Sequence, residues 1–115
     1  MQTLNDQDFS SVVNQAVGPI LVKFGAPWCA PCCQLDSTLS AIEAEKPEKR
    51  LPFYSLDIAA SPATSRACQV MSVPTLVVFE QGQAIKVLRG PRTRTQLLQD
   101  LSDYLGPLTI VQSAI

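Results

Sequence analysis

Apolar residues recur along the chain at two kinds of spacing, and these spacings predict its helices and strands. Intervals of three and four residues place one apolar set on a single helical face: Phe9, Val12, Val13, Ala16 and Val17. Residues 20–24 and 75–79 are nearly continuous apolar runs, which is typical of central strands buried on both faces. The first of these strands contains one charged residue, Lys23.

Residues that begin and end helices predict the boundaries in the first half of the chain. Asn5 is a candidate cap for the first helix, and Gly18-Pro19 ends that helix. A second helix is predicted from Pro31 to about residue 45. A third is predicted over residues 62–69, with Ser61 as its cap and proline at its first position.

The remaining signals complete the order of elements. Residues 2–4 are expected to form an edge strand, and residues 53–58 have the β-branched and aromatic content of a strand. Gln81-Gly82 predicts a hairpin turn after the strand at residues 75–79. Thr93 and Gln96 have the spacing of a capping box, and the helix that they open ends at Gly106-Pro107. The resulting order, β-α-β-α-β-α-β-β-α, predicts an α/β protein with a mixed sheet and helices on both faces.

Length and charge narrow the class of protein. A chain of 115 residues is long enough for one domain with a single core. The net charge of −1 gives no reason to expect binding to nucleic acid. No apolar run approaches the 18 residues of a membrane span, and the first residues lack the basic and apolar regions of a signal peptide. We therefore expect a protein of the reducing cytoplasm.

A pair of cysteines at the start of the second helix carries the candidate chemistry. Cys29 and Cys32 enclose Ala30 and Pro31 directly after a buried strand, and Cys-x-x-Cys in this context predicts a thiol–disulfide redox site. Residues three apart share a helical face, so the two sulfurs can meet. Free N–H groups and the helix dipole favour a thiolate at Cys29, which should attack first. Cys32, one turn further in, should be more buried and attack second.

The cysteine pair has two other interpretations. Both cysteines could be small buried apolar residues. They could also form half of a zinc site, but such a site needs a second pair of ligands. Only Cys33 and Cys68 remain, and the chain has no histidine, so we expect no metal.

The motifs and their order resemble the thioredoxin family. Trp28–Cys32 reads WCAPC, like the WCxPC site of that family, and Val73-Pro74-Thr75 matches its V/I-P-T segment. Gly82 and Gly90 fall at a hairpin turn and at a close backbone approach of that family. The resemblance covers about residues 2–105. It implies the thioredoxin fold, with about five strands flanked by four helices, for a domain over residues 1–107.

Residues 108–115 form a tail that the family pattern does not explain. This tail either packs on a protein surface or is a disordered end.

The resemblance also implies a mechanism and its residues. Cys29 and Cys32 would form a redox-active disulfide with no bound cofactor. A cis bond at Pro74 would hold the Val73 backbone open opposite Cys29 for a substrate segment. The substrate surface would comprise Trp28, Ala30, Pro31, Val73, Pro74, Thr75 and Gly90. The implied partners of this monomer are proteins with disulfides and a flavoprotein thioredoxin reductase.

Several positions depart from the family pattern. Ala30 replaces a glycine, Gly25 replaces an aromatic residue, and Ser37 replaces a proline. Cys33 is expected to be a spectator thiol, because adjacent helical residues do not share a face. Cys68 is a candidate for a regulatory or intermolecular disulfide.

The largest departure is Lys23, which stands where the family has a buried aspartate. Either its stem carries the ammonium to water, or the ammonium stays beside the dithiol and modulates the pKa of its thiols. In the second case it could stabilise a thiolate or, if partly neutral, accept the thiol proton. Lys23→Asp would then lower the reduction potential.

Two functions remain open at this point. The first is a thiol–disulfide oxidoreductase that reduces protein disulfides through a mixed disulfide. The second is a thioredoxin-like binding module with little redox turnover, for which the lost aspartate and the additional tail leave room.

Overall fold

Five strands form one mixed sheet with helices on both of its faces. The computed structural model describes residues 1–46 and 50–105. The strands are β1 (Gln2–Leu4), β2 (Ile20–Gly25), β3 (Phe53–Asp57), β4 (Thr75–Glu80) and β5 (Gln83–Arg89). Their order across the sheet is β1-β3-β2-β4-β5. The two pairings of β3 are parallel, whereas β4 is antiparallel to both of its neighbours. The predicted α/β class and mixed sheet are therefore confirmed.

The described residues contain five helices where four were predicted. They are α1 (Phe9–Gln15), α2 (Ala30–Glu45), α3 (Pro62–Ala67), α4 (Arg94–Asp100) and α5 (Ser102–Leu105). The predicted last helix is divided because Leu101, with φ −108° and ψ 17°, leaves helical geometry. Its predicted capping box is present, with Thr93 and Gln96 exchanging hydrogen bonds. Leu97, Leu101 and Leu105 are buried on one side.

The first helix is shorter than its apolar spacing suggested. Asn5 caps the turn before α1, since its side-chain oxygen accepts the N–H groups of Gln7 and Asp8. The helix then ends at Gln15, because Ala16 is extended with ψ 134°. Val17 is consequently 109% exposed, so its predicted place on the buried face was wrong.

Each face of the sheet has its own apolar core. Side chains alternate along β2, so Leu21 packs with Leu35 and Leu39 of α2, whereas Val22 and Phe24 point to the other face. The core on the α2 face also includes residues of α4 and α5. The opposite core is built with Val13 of α1, and partly buried Phe9 packs against it. This alternation also directs Lys23 and Gly25 toward α2.

The antiparallel pairing of β2 and β4 fixes where the loops meet. Phe24 pairs with Thr75, so the residues after β2 and those before β4 lie at the same edge of the sheet. The loop after β2 leads into α2, and the loop before β4 contains Val73 and Pro74. Both predicted motifs therefore lie at one edge. The predicted tail at residues 108–115 and the predicted stop at Gly106-Pro107 lie outside the described residues.

Candidate active site

The two cysteines of the WCAPC motif are joined by a disulfide at the start of α2. Their Cα atoms are 5.2 Å apart. Cys29 is the N-cap residue of α2, with extended φ −99° and ψ 105°, and its Sγ accepts the Cys32 N–H at 3.2 Å. Pro31 fits the first turn because a proline has no N–H to leave unpaired there. The local sequence thus brings both sulfurs to the helix N-terminus.

The two sulfur-bearing residues differ in their access to solvent. Cys32 is 1% exposed, whereas Cys29 is partly exposed. Thiol–disulfide exchange requires contact between the attacking sulfur and a substrate sulfur. Only Cys29 of this pair offers that access. Its position at the N-terminus of a 16-residue helix also provides N–H groups and a dipole that favour negative charge on sulfur.

The residues around Cys29 are open to solvent. Trp28 is 71% exposed, and Ala30 and Pro31 are exposed as well. A large aromatic side chain left mostly in water beside a reactive sulfur can contact an incoming protein, since aromatic residues supply much of the contact area of interfaces. These three residues therefore surround the accessible sulfur with a small, mostly apolar surface.

The loop before β4 supplies a second part of the site. The Val73–Pro74 bond is cis, as the resemblance implied. The Pro74 carbonyl accepts the Gly90 N–H at 2.9 Å, and the Thr75 hydroxyl donates to the Ser72 carbonyl at 2.8 Å. Pro74 and Thr75 are buried, whereas Val73 and Gly90 are partly exposed. Gly90 has φ +89°, a conformation that glycine adopts at little cost.

Lys23 lies behind the disulfide, and its ammonium is not in bulk water. The residue is 5% exposed, and Nζ donates to a carboxylate oxygen of Asp36 on α2. A Cβ atom added at Gly25 would lie 3.1 Å from Lys23 Nζ and 3.3 Å from Cys32 Cβ. The two atoms therefore border one small space, which the glycine leaves open. The alternative in which the stem carries the charge into solvent was wrong, while a role in the chemistry stays a prediction.

Asp36 is a residue that the sequence interpretation missed. It follows Cys32 by four positions on α2, and side chains at that spacing share a helical face. Together with the buried lysine on the preceding strand, this spacing was the available signal. A lysine in the centre of an apolar strand needs a partner, because burial of an unpaired charge is costly.

The other two cysteines, Cys33 and Cys68, are not part of the disulfide. Cys33 is exposed on α2, and its sulfur is free. Cys68 is half-buried at the end of α3, and this burial raises the pKa of its thiol. Cys68 lines an open groove over β4 and β5 that also includes Thr75. Within the described residues, no group of three or more histidine, cysteine or acidic side chains is placed to hold a metal ion.

Comparison with known proteins identifies the family. The family model described as thioredoxin matches residues 1–103, which is most of the chain. The chain belongs to the thioredoxin family. With the disulfide at the start of α2, this membership makes the protein a thiol–disulfide oxidoreductase.

Curated relatives match over a similar length of the chain. A thioredoxin of Mycolicibacterium smegmatis is 38% identical over 103 residues, which cover 89% of this chain and 92% of the relative. A thioredoxin of Mycobacterium tuberculosis is 37% identical over 105 residues, covering 91% and 90%. A bifunctional thioredoxin reductase/thioredoxin of Mycobacterium leprae is 36% identical over 105 residues, covering 91% of this chain and 23% of the relative. In the described part of the chain, no helix has the length and apolar character needed to cross a membrane.

Proposed function

We propose that this thioredoxin-family protein reduces disulfides of protein substrates, with Cys29 as the attacking and Cys32 as the resolving residue. The Cys29 thiolate attacks one sulfur of the substrate disulfide, and the other substrate sulfur leaves with the electron pair. The Cys32 thiol then loses its proton and attacks Cys29, which releases the second substrate thiolate. The substrate disulfide gains two electrons, and the Cys29–Cys32 dithiol is oxidised to the disulfide.

The difference in exposure between the two cysteines is the observation that carries this assignment. Cys29 is partly exposed, so a substrate sulfur can reach it, whereas Cys32 is 1% exposed beneath it. Their Cα atoms are only 5.2 Å apart, so Cys32 is already close enough to resolve a mixed disulfide on Cys29. The resolving step is therefore intramolecular and needs little backbone movement.

Two segments form the proposed substrate surface, one exposed and the other partly buried. Trp28, Ala30 and Pro31 surround the accessible sulfur from the α2 side. Val73, Pro74, Thr75 and Gly90 form the opposite side of this surface. A substrate segment in extended conformation would pair with the Val73 backbone as an added strand, since this loop directly precedes β4. Side chains beside the substrate disulfide would then contact Trp28.

A reductase and a location complete the proposal. One relative carries a thioredoxin reductase and a thioredoxin in a single protein. By analogy, a flavoprotein thioredoxin reductase regenerates the dithiol of this chain, which acts as a monomer without a bound cofactor. We place it in the cytoplasm, where the reducing environment suits a working dithiol better than a structural disulfide.

Turnover of a protein disulfide tests the proposal directly. With dithiothreitol as reductant and insulin as substrate, the wild type should accelerate disulfide reduction above the dithiothreitol background. Cys29→Ser should lose this acceleration, because the only accessible sulfur of the pair is gone. Cys33→Ser, which removes an exposed thiol on the same helix, is the matched control and should keep the wild-type rate. A Cys29→Ser variant as fast as the wild type would overturn the assignment.

A further inference from the structure

An ion pair between a buried lysine and a partly exposed aspartate lies directly behind the dithiol. The Lys23 side chain is 7% exposed, and its ammonium donates to the carboxylate of Asp36, which is 42% exposed. A buried ammonium is stabilised by a paired and hydrogen-bonded anion, whereas one without a partner is costly. Asp36 therefore neutralises a charge that the strand alone would leave unpaired.

The same pair adjoins the resolving cysteine. Asp36 follows Cys32 by one turn of α2, and Gly25 leaves open the small space that Lys23 Nζ and Cys32 Cβ both border. Those atoms lie 3.1 and 3.3 Å from the position that a Gly25 Cβ would occupy, so they are no farther apart than the sum of these distances. The ammonium is thus close enough to act electrostatically on a thiolate of the reduced dithiol.

Among the residues that the structure describes, Asp36 is the acidic residue that contacts the ammonium directly. On this face of the sheet, Ser55 of β3 pairs with Lys23, and Asp57 of β3 pairs with Gly25. On the other side of Lys23, β4 contributes Leu76, which is apolar. The Asp57 carboxylate accepts the Ala59 N–H at 2.8 Å. Asp57 is therefore a nearby carboxylate with a different hydrogen-bond partner, which makes it a matched control.

We propose that Asp36 is a positioning residue that sets the reduction potential of the dithiol by holding the Lys23 ammonium and neutralising it. Without Asp36, the ammonium would be left to interact with a Cys32 or Cys29 thiolate. A stabilised thiolate favours the reduced form, which makes the disulfide a stronger oxidant. The Lys23–Asp36 pair thus keeps the reduction potential of the dithiol more negative than it would be with an unpaired ammonium. This inference rests on the redox role proposed above for Cys29 and Cys32.

The charge behind the dithiol predicts an order of potentials. The wild-type pair is neutral, Asp36→Asn leaves one positive charge, and Lys23→Met leaves one negative charge beside Cys32. The double variant is neutral again. The potential should therefore be least negative in Asp36→Asn and most negative in Lys23→Met, with the double variant close to the wild type. A merely structural role for Asp36 would not produce opposite shifts that cancel.

Equilibration with glutathione measures this order. All variants carry Cys33→Ser and Cys68→Ser, so that only Cys29 and Cys32 react, and the oxidised fraction is followed by alkylation of the free thiols. At pH 7, Asp36→Asn should shift the equilibrium about tenfold toward the reduced protein. For a two-electron couple, this shift is about 30 mV less negative. Lys23→Met should shift it in the opposite direction, and Asp57→Asn should stay within about twofold of the wild type.

The results distinguish a failure of the inference about Asp36 from a failure of the proposed function. If the Asp36→Asn equilibrium equals that of the wild type or moves toward the oxidised form, the inference is wrong. It is also wrong if Asp57→Asn shifts as far as Asp36→Asn. Should the wild-type cysteines themselves fail to equilibrate reversibly with glutathione, the proposed function fails first. Lys23→Met replaces a buried side chain that has an apolar stem with a fully apolar side chain of similar length. Asp36 is partly exposed, so both single variants are expected to fold.

Discussion

The start of α2 and the end of α3 place the same side chain in opposite environments. Cys29 is the N-cap of a 16-residue helix and is partly exposed. Cys68 is the C-cap of a six-residue helix, and its own N–H bonds back to the Thr64 carbonyl at 2.9 Å. The first cysteine lies at the N–H end of its helix, where its Sγ accepts the Cys32 N–H, whereas the second lies among the last carbonyl groups of its helix.

This contrast shows how position in a helix selects one thiol of several for chemistry. Positive potential at a helix N-terminus favours a thiolate, and the carbonyl end disfavours it. Burial acts in the same direction at Cys68, because it raises the pKa of that thiol above its ordinary value. The residue type is the same in both places, so the backbone and the solvent around each sulfur make the difference.

The largest effect is expected when the resolving cysteine is removed. Cys32→Ser leaves the accessible Cys29 able to attack a substrate disulfide, but the second step has no sulfur to carry it out. The variant should therefore accumulate covalent mixed disulfides when it is incubated with a disulfide-containing protein such as insulin. Non-reducing electrophoresis and mass spectrometry of the adduct would detect them.

Cys29→Ser provides the counterpart to this trapping experiment. It keeps Cys33 and Cys68, so it reports how much adduct the other thiols form. We expect adducts from Cys32→Ser at Cys29 and almost none from Cys29→Ser. Trapping by Cys29→Ser but not by Cys32→Ser would reverse the assigned order of attack.

A smaller effect is expected on the alkylation rates of Cys29, at the start of α2, and Cys68, at the end of α3. In a reduced variant that carries Cys32→Ser and Cys33→Ser, only Cys29 and Cys68 remain. Cys29 should react with iodoacetamide at least about tenfold faster than Cys68 at pH 7, because the thiolate is the reactive form. Mass spectrometry of the two separate peptides would follow both rates in one sample.

The pH dependence of these rates has a defined sign. A raised pKa means that Cys68 gains its thiolate only at higher pH, so its rate should continue to rise as the pH increases from 7 to 9. The alkylation rate of Cys29 should rise less over the same interval, so the ratio of the Cys29 rate to the Cys68 rate should fall. Equal rates at pH 7, or a ratio that widens with pH, would contradict the contrast.

Signals between neighbouring residues allowed much of this site to be predicted from the sequence. Cys29 and Cys32 lie next to a buried strand and a proline that starts a helix, so their placement follows from local rules. The capping box of Thr93 and Gln96 was equally local and is present. The cis bond at Pro74 was expected only from the resemblance, because composition does not determine the isomer of an X–Pro bond.

What the sequence did not reveal depends on contacts between distant segments. Asp36 contacts Lys23 across the strand-to-helix packing, 13 positions along the chain. Val17 matched the helical spacing but lies after the end of its helix. The spacing of apolar residues does not show that the backbone becomes extended at Ala16. Ser61 was expected to cap α3, yet its side chain makes no capping bond.

The smallest effect concerns the residue that caps α3 in place of Ser61. The Asp6 carboxylate accepts the N–H groups of Thr64 at 2.8 Å and Ala63 at 3.3 Å, which have no partner inside the helix. Asp6→Ala should loosen α3 and raise the alkylation rate of Cys68 about two- to threefold at pH 8, as expected for loss of a cap. Cys29, at the start of another helix, should keep its rate. Unchanged alkylation of Cys68 would show that this contact does not hold α3.

The contribution of Asp6 also depends on pH with a predictable sign. Hydrogen bonds from the side chain and backbone of Thr64 hold the pKa of Asp6 below its ordinary value. A lowered pKa in the folded state means that the carboxylate stabilises the fold above the pKa of the unfolded chain, about 4. This stabilisation is lost as the pH falls through the folded-state pKa. The wild type should therefore melt at a higher temperature than Asp6→Ala at pH 7, and the difference should shrink toward pH 3. A gap that stays constant between pH 7 and pH 3 would assign the effect of Asp6 to something other than its charge.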